Sequence, residues 1–285
     1  MSRRALIETG ADAITRWIAR LYFDVSYRLL AGTVGREFLE AARLPDAPRV
    51  HGYATSLDVE ALVEALHPLR DDTLVDLGCG IGEVAIAIHR RTACRIVGID
   101  AARRAIDEAR ARASSAGVQG FVRFFVADLA SPPCGASAGY ALDSLMFVRR
   151  PAHVLASVSR SLQPPGRVFV TLLAPGRLDR AGVVGLIEGA GLWLESLDDV
   201  TMEFAARSRR RASTARRMMR AGPSLAGRFA LLLVLAEEAA VMHLISQGRL
   251  RRWRFTTILG APPPARLQRP SGEGRAAHGP PARTG

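Results

Sequence analysis

A glycine-rich turn between a predicted strand and a predicted helix constrains the fold of this chain more than any other feature. Residues 73–88 read TLVDLGCGIGEVAIAI: an apolar strand ends near Asp76, and the alternating glycines Gly78, Gly80 and Gly82 lead into a helix. Glycines permit a tight turn whose backbone lies close to a ligand, and the free N–H groups of the following helix can point at that ligand. The pattern predicts a parallel α/β sheet with a ligand-binding turn after this strand.

The spacing of the glycines separates two kinds of nucleotide-binding turn. A dinucleotide fingerprint, G-x-G-x-x-G, needs its third glycine at position 83, where this chain has Glu83. Carboxylates at Glu83 and Asp76 suit a ligand with an ammonium group better than a pyrophosphate, because like charges repel at close range. The turn therefore favours a cationic ligand over a dinucleotide.

Acids also follow the next two predicted strands. The second strand, residues 95–99, ends in Asp100, which lies 18 residues beyond Gly82. A carboxylate at this place can accept hydrogen bonds from both hydroxyls of a ribose. The third strand, residues 121–126, is followed by Asp128 and Leu129. These positions predict a nucleoside site at the carboxyl ends of the strands.

The order of these motifs resembles that of class I S-adenosylmethionine (AdoMet) methyltransferases. The glycine turn and the two acids are followed by residues 162–167 (LQPPGR), which are similar to the L-x-P-G-G turn before the fifth strand of that family. The resemblance covers about residues 50–175. It implies an α/β fold with a Rossmann-like, seven-stranded, mostly parallel sheet, flanking helices and a helical cap, and AdoMet as the cofactor.

The resemblance also assigns cofactor contacts. It implies that Asp100 binds the ribose and that Asp128 binds the adenine amino group, with Leu129 against the ring. Tyr53, in the stretch VHGYA, is our candidate for a contact at the methionine end, and the alternative is that it packs the N-terminal helices. The full set of expected cofactor-binding residues is Tyr53, Asp76, Gly78, Cys79, Gly80, Gly82, Asp100, Ala101, Asp128 and Leu129.

The acceptor chemistry depends on the residues after the fourth strand. Methyl transfer from a sulfonium mainly requires alignment and exclusion of water. Many relatives carry His residues here, where this chain has Met146 and Phe147. This departure weakens the case for a His-assisted O-methylation and leaves C-methylation, N-methylation and O-methylation of an acidic acceptor open. Asp143 is our candidate catalytic residue, and the alternative is that it caps the following turn.

Helical segments precede and interrupt the predicted sheet. We divide the chain into an N-terminal helical cap (1–50), a methyltransferase domain (51–260) with a helical insertion at about 202–248 and a last strand at 252–259, and a disordered Pro/Gly/Arg-rich tail (261–285). The helical parts are expected to cap an acceptor pocket. Large side chains in them could line that pocket or pack the core: Tyr22, Tyr27, Phe204, Met218, Met219 and Trp253.

The basic charge does not predict a nucleic-acid site. The formal net charge is +12, but all 39 basic residues are Arg, which indicates coding bias rather than a built surface. The Arg cluster at 207–220 falls on a predicted helix and points in several directions, which favours a solvated face. A nucleic-acid methyltransferase, and an AdoMet-binding protein without transferase activity, are kept as alternative functions.

The remaining sequence features concern metal binding, cellular location and membrane association. Its three cysteines lack metal-ligand spacing, so no metal site is predicted, and a reducing cytoplasm is the simplest environment. The apolar run 229–236 is stopped by Glu237 and Glu238, so no membrane span is expected. The sequence predicts a soluble cytoplasmic enzyme that acts on a small apolar or aromatic metabolite, and it leaves a homodimer open.

Overall fold

One seven-stranded sheet organises the computed structural model, which describes residues 33–42 and 54–260. In chain order the strands are β1 Thr73–Leu77, β2 Arg95–Asp100, β3 Val122–Val126, β4 Ala136–Leu142, β5 Leu162–Pro175, β6 Trp193–Asp199 and β7 Leu250–Ile258. Their spatial order is β3-β2-β1-β4-β5-β7-β6, and β7 pairs antiparallel with both of its neighbours while the other pairs are parallel. The predicted Rossmann-like, mostly parallel α/β fold is confirmed.

Helices cover both faces of this sheet. They are α1 Thr33–Ala42, α2 Ser56–Leu66, α3 Glu83–Thr92, α4 Arg103–Ser115, α5 Pro151–Ser161, α6 Arg180–Glu188, α7 Thr201–Arg220 and α8 Leu225–Ser246, with a 3-10 turn, Ser144–Phe147, after β4. Successive residues of β1 point to opposite faces: Leu74 belongs to the core shared with α2, α3 and α4, and Val75 to the core shared with α5 and α6. The central strands read as apolar runs because both of their faces are buried.

Local capping signals set several helix starts. In α2, the N–H of Thr55 donates to the Asp58 carboxylate at 2.8 Å, while the N–H of Asp58 donates to the Thr55 hydroxyl at 3.2 Å. This reciprocal pair is a capping box, which satisfies two N–H groups at the helix start. The Ser224 hydroxyl accepts from the N–H of Gly227 at the start of α8.

A hairpin of two helices, α7 and α8, separates β6 from β7. Because β6 runs parallel to β5 and β7 runs antiparallel to it, β6 ends and β7 begins at the carboxyl edge of the sheet. The hairpin is therefore joined to the sheet at the edge that carries the glycine turn. It occupies the region predicted as a helical insertion, and the last strand begins two residues earlier than predicted.

Helix α1 packs on this hairpin through Phe38, which is fully buried with Ala215, Leu231 and Val234. The Arg211 guanidinium lies 5.0 Å above the Phe38 ring. Apart from α1, the predicted N-terminal cap (1–50) lies outside the described residues, as do Tyr22, Tyr27 and the predicted tail (261–285).

Within the described ranges, α8 is the one helix long and apolar enough to cross a membrane, judged by length and composition alone. The sequence analysis did not expect such a helix, because it treated Glu237 and Glu238 as ending the apolar run. Glu238 is fully buried and forms an ion pair with Arg211 of α7. The helix thus accommodates this acid by packing on α7.

Candidate cofactor site

The glycine turn follows β1 directly, and its three glycines adopt left-handed backbone conformations. The φ angles of Gly78, Gly80 and Gly82 are 80°, 52° and 77°. Residues with a Cβ lose about 1–2 kcal/mol in this region. The N–H groups of Gly78 and Cys79 donate to the carbonyl of Ile99 at 2.8 and 3.1 Å, which ties the turn to the end of β2.

Close packing is a second reason for glycine in this turn. A Cβ on Gly78 would overlap the side chain of Ser144, and a Cβ on Gly82 would overlap the ring of Phe124. The Ser144 hydroxyl also donates to the carbonyl of Leu77. The turn is therefore held between the ends of β2, β3 and β4, with its backbone close to its neighbours.

Asp100 holds the turn from the side of β2. Its two carboxylate oxygens accept hydrogen bonds from the N–H of Gly80 at 3.0 Å and of Ala102 at 2.8 Å. Burial raises the pKa of the Asp100 carboxyl, and these backbone donors oppose the increase. Each oxygen keeps a second acceptor position, so the carboxylate can hold the turn and still accept from a ribose. Ala101, between these donors, is exposed.

Asp128 lies on the loop after β3, next to Asp100 in space. The N–H of Ala127 donates to the carbonyl of Asp100 at 3.0 Å, which joins the ends of β2 and β3. The exposed Asp128 carboxylate accepts from the N–H of Ala130 at 2.8 Å. Leu129 is only 8% exposed and packs in the core. Of these two neighbouring residues, Asp128 is the one whose side chain is exposed. The contact of Leu129 with an adenine ring stays a prediction.

Asp76 is the most deeply buried acid of the turn, with 3% exposure. Burial raises the pKa of its carboxyl to about 8; the hydroxyl of Tyr140 opposes this increase, and the negative charge of Asp100 adds to it. Tyr140 lies opposite Asp76 in the β1–β4 register, and its hydroxyl has no partner with full hydrogen-bond geometry among the described residues. A nearby cation would favour the ionised form of Asp76.

Cys79 lies inside the turn and is partly buried. Burial raises the pKa of the Cys79 thiol well above its ordinary value, and the charges of Asp76 and Asp100 raise it further. The thiol is therefore protonated at neutral pH and is not a nucleophile. Its place among the cofactor-binding residues stays a prediction based on its backbone position.

Glu83 has a different partner from the one the sequence analysis gave it. This residue begins α3, and its carboxylate forms an ion pair with Arg112 of α4. The interpretation that Glu83 helps Asp76 to attract a cationic ligand is corrected accordingly. The acids that remain at the turn are Asp76, Asp100 and Asp128.

Asp143, the predicted catalytic residue, is 3% exposed and has both carboxylate oxygens bound by one arginine. The Nε and Nη2 groups of Arg252 donate to these oxygens at 3.0 and 2.7 Å. The Nη1 and Nη2 groups of the same guanidinium donate to Asp58 at 3.0 and 2.9 Å. Asp143 therefore contributes to a buried ion network, and its contact with donor or acceptor stays a prediction.

Arg252 is the centre of this network and was missed by the sequence analysis. It is 1% exposed, and although burial disfavours its charge, the carboxylates of Asp143 and Asp58 hold the pKa of Arg252 above its ordinary value. The signals in the sequence were an arginine in an apolar strand and an acid in an apolar helix. Neither shows that residues 194 positions apart bind each other.

The described residues that the sequence suggested for an acceptor pocket are buried or pack between helices. Phe204 and Trp253 are 0% and 3% exposed and belong to the core, while Met218 and Met219 pack beside α1. In contrast, Met146 and Phe147 are each 38% exposed on the turn after β4. Among the described residues, the accessible apolar side chains nearest in sequence to the network are Met146, Phe147 and Leu57.

Two further predictions concern metals and the methionine end. No group of three or more His, Cys, Asp or Glu side chains in the described ranges could hold a metal ion. Tyr53 lies just outside those ranges, so its predicted contact is not described.

Comparison with known proteins agrees with this geometry. Residues 74–166, which run from the second residue of β1 through β4 and include the glycine turn, match the family model of a methyltransferase domain. The solved structure of a geranyl diphosphate methyltransferase in complex with SAM superposes with a TM-score of 0.59, at 22% identity, over 71% of this chain and 84% of that one. Residues 74–166 are thus similar to a methyltransferase domain, and the fold is that of the geranyl diphosphate methyltransferase structure.

Curated relatives of the domain are methyltransferases. Methyltransferase GfsG of Streptomyces halstedii is 28% identical over 187 residues, which are 64% of this chain and 66% of that protein. The 27-O-demethylrifamycin SV methyltransferase of Amycolatopsis mediterranei is 31% identical over 160 residues, or 47% of this chain and 59% of that protein. The chain thus spans less than two thirds of the length of either relative.

Proposed function

We propose that this protein is an AdoMet-dependent methyltransferase that transfers a methyl group to a C, N or O atom of a small, mainly apolar acceptor. The observation that carries the proposal is the set of acids at the carboxyl ends of β1, β2 and β3. Asp76 and Asp100 lie beside a turn of three left-handed glycines, and no described Arg side chain forms an ion pair with either acid. A ligand with its own positive charge would balance them.

The site residues fit AdoMet better than a dinucleotide. AdoMet carries an ammonium and a sulfonium, whereas a pyrophosphate would bring negative charge next to Asp76 and Asp100. The glycines let the turn pack tightly against its neighbours, because a Cβ at Gly78 or Gly82 would overlap Ser144 or Phe124. When bound, AdoMet supplies an activated methyl group on its sulfonium.

Each acid has a distinct proposed task. Asp100 would accept the ribose hydroxyls while its existing bonds to Gly80 and Ala102 keep the turn in place. Asp128, on the exposed loop after β3, would accept from the adenine amino group. Asp76 would balance the ammonium, and ionisation of its carboxyl would accompany binding because its pKa is raised in the free protein.

The acceptor side lacks an obvious base among the residues after β4. Met146 and Phe147 cannot accept a proton, and both oxygens of Asp143 already bind Arg252. We therefore infer an acceptor that needs no base from this turn: a carbon or nitrogen nucleophile, or an oxygen that is already acidic. Accessible Met146, Phe147 and Leu57 favour an apolar acceptor.

Calorimetric titration tests the cofactor first. The purified chain should bind S-adenosylhomocysteine with micromolar affinity and should not bind NAD. Binding of NAD, or no binding of S-adenosylhomocysteine, would overturn the proposal. The matched control for the site is Asp107→Ala, which removes an exposed acid from α4 and should leave the affinity unchanged.

Transfer of a radiolabelled methyl group from AdoMet tests the acceptor class. Turnover on small apolar acceptors such as phenols, amines and prenyl compounds would support the proposal. Methylation of RNA, with binding that weakens steeply as salt increases, would favour the nucleic-acid alternative instead. Tight cofactor binding without turnover on either class would favour an AdoMet-binding protein that is not a transferase.

A further inference from the structure

The helical hairpin of α7 and α8 carries positive charge that its own acids do not balance. Residues 204–236, which include most of α7 and the first half of α8, contain eight Arg and no Asp or Glu. Arg207 and Arg211 form ion pairs with the buried Glu238. The other six are exposed, and none has a carboxylate partner among the described residues: Arg209, Arg210, Arg216, Arg217, Arg220 and Arg228.

Four of these exposed arginines lie close together where the two helices meet. Arg216, Arg217 and Arg220 belong to the last five residues of α7, and Arg228 to the first turn of α8. Only residues 221–224 connect the helices, so these two turns are neighbours in space. The Arg228 guanidinium donates to the carbonyl of Pro223, a neutral partner that leaves its charge in place.

Large apolar side chains are exposed beside these arginines. Leu225 and Phe229 are 86% and 53% exposed, and Leu232, further along α8, is 56% exposed. Arg228 follows Leu225 by three residues and precedes Leu232 by four, so it shares their side of the helix. We give the name tip surface to six exposed residues around this connection: Arg216, Arg217, Arg220, Leu225, Arg228 and Phe229.

The contacts on the opposite side of α8 fix its orientation. Leu231 and Val234 are buried against α1 and α7, and Glu238 is ion-paired with Arg211 of α7. The length and composition of α8 would allow it to cross a bilayer, but crossing would break this ion pair and place its charges in hydrocarbon. The hairpin is therefore suited to contact from one side, like a helix that lies along a membrane surface.

Arginine and apolar side chains on one surface match the two layers of an anionic lipid membrane. Guanidinium groups donate paired hydrogen bonds to phosphate, and Leu and Phe side chains of such a helix enter the boundary between headgroups and acyl chains. A second copy of the chain fits less well, because two tip surfaces would bring like charges together. A nucleic acid would bind the arginines but would leave Leu225 and Leu232 without an apolar contact.

We propose that the tip surface binds the anionic surface of a lipid membrane. Leu225 and Phe229 would enter the boundary with the acyl chains, and the four arginines would bind the headgroup phosphates. The contact is peripheral, because the inner side of α8 stays packed on α1 and α7. It requires anionic lipid and weakens as salt is raised, because the arginines supply the attraction. The proposal does not depend on the identity of cofactor or acceptor.

Co-sedimentation of the full-length protein with lipid vesicles tests this contact. The protein should bind vesicles of equal parts phosphatidylcholine and phosphatidylglycerol at least about tenfold more tightly than vesicles of phosphatidylcholine alone. Added salt should weaken the binding. Absence of binding, or equal binding to both kinds of vesicle, would overturn the proposal.

Paired arginine substitutions locate the contact on the protein. Arg216→Gln combined with Arg220→Gln removes two charges from the tip surface and should weaken binding to the anionic vesicles about tenfold. The matched control, Arg90→Gln combined with Arg91→Gln, removes two exposed arginines from the end of α3 and should weaken it by about twofold at most. Equal losses in the two variants would show that net charge alone attracts the protein, which would overturn the proposal.

Paired apolar substitutions separate insertion from attraction by charge. Leu225→Ser combined with Phe229→Ser should weaken binding about tenfold, because the apolar area that enters the membrane is lost. The matched control is Leu69→Ser combined with Phe121→Ser, at positions 70% and 49% exposed, and it should bind as the natural chain does. Undiminished binding by the Leu225 and Phe229 variant would overturn the proposal. Circular dichroism checks that each variant is folded.

Two other occupants of the tip surface would give different results. A dimer that forms without vesicles and is lost in the Leu225 and Phe229 variant, together with no binding to vesicles, would assign the surface to a second copy. RNA binding that is lost in the Arg216 and Arg220 variant, again with no binding to vesicles, would assign it to a nucleic acid. Either result would overturn the proposal.

Discussion

Two pairs of carboxylates lie at the carboxyl edge of the sheet, and they differ in what balances their charge. Asp58 and Asp143 share one buried guanidinium, that of Arg252. Asp76 and Asp100 have backbone donors and a tyrosine near them, and no described Arg or His is ion-paired with either. The first pair is complete within the protein, and the second is arranged for a charge that arrives with a ligand.

This difference separates structural from ligand-binding acids. A buried acid with a buried cation stabilises the fold only as long as both partners are present, because removing one leaves an unpaired charge. A buried acid without a cation has a raised pKa, and such groups occur often at functional sites. On this basis we predict a structural role for Asp143, which the sequence suggested for catalysis.

The largest expected effect is a loss of stability when Arg252, which binds both Asp58 and Asp143, is replaced. Arg252→Met should lower the free energy of unfolding by about 3–5 kcal/mol, because two buried carboxylates lose their partner. Arg251→Met, at the neighbouring position, which is 42% exposed, should lower it by less than about 1 kcal/mol. Urea unfolding measures both. Similar losses in the two variants would show that the Arg252 network does not behave as a buried ion network.

The second expected effect is a pH dependence that comes from Asp76. Its folded pKa of about 8 exceeds the unfolded value of about 4, so between these pH values the folded state binds more protons and stability falls as pH rises. The slope should reach roughly 1 kcal/mol per pH unit between about pH 5 and 7. Asp76→Asn should flatten it, as measured by urea unfolding at several pH values. Parallel stability profiles for the two proteins would contradict the assignment.

The third expected effect concerns cofactor affinity. Asp100→Ala should weaken binding of S-adenosylhomocysteine by about 1–3 kcal/mol, because a charged acceptor for the ribose is lost together with the bond that holds Gly80. Calorimetric titration measures the change. Equal affinities for Asp100→Ala and the control Asp107→Ala would remove Asp100 from the site.

The smallest expected effect distinguishes the two roles suggested for Asp143. Asp143→Asn should lower the free energy of unfolding by about 1–2 kcal/mol, because one charge-assisted partner of Arg252 is lost. The shape of the pH–rate profile should not change. A large drop in kcat with unchanged stability would instead make Asp143 a catalytic residue, as the sequence analysis predicted.

The parts of the site that the sequence predicted are local in the chain. Gly78, Gly80 and Gly82 are needed where φ is positive, and this requirement can be read from a few neighbouring residues. Asp76, Asp100 and Asp128 follow apolar strands, and the carboxyl ends of parallel strands meet at one edge of the sheet. The mostly parallel seven-stranded sheet and the helical insertion were also predicted from pattern and from family resemblance.

Long-range pairing could not be read in the same way. Glu83 was interpreted as part of the ligand site until the structure placed Arg112 against it, and the partner of Asp143 is Arg252 of β7, which also binds Asp58 of α2. The apolar outer side of α8 was hidden in the sequence because its inner side is equally apolar. In each case the residue type fits more than one role: an acid can bind a ligand or an arginine, and an apolar side chain can be buried or exposed. Only the folded structure shows which role it has.

By itself, the sequence determined the backbone turn and the acids around it, because glycine at positive φ and carboxylates after apolar strands are properties of short segments. Only the tertiary structure decided which acids are already neutralised. Arg252 reaches Asp58 and Asp143 across the sheet edge, while Asp76 is left with a raised pKa. The physical reason is that charge compensation depends on distance and burial, and the folded chain sets both between residues that are far apart in sequence.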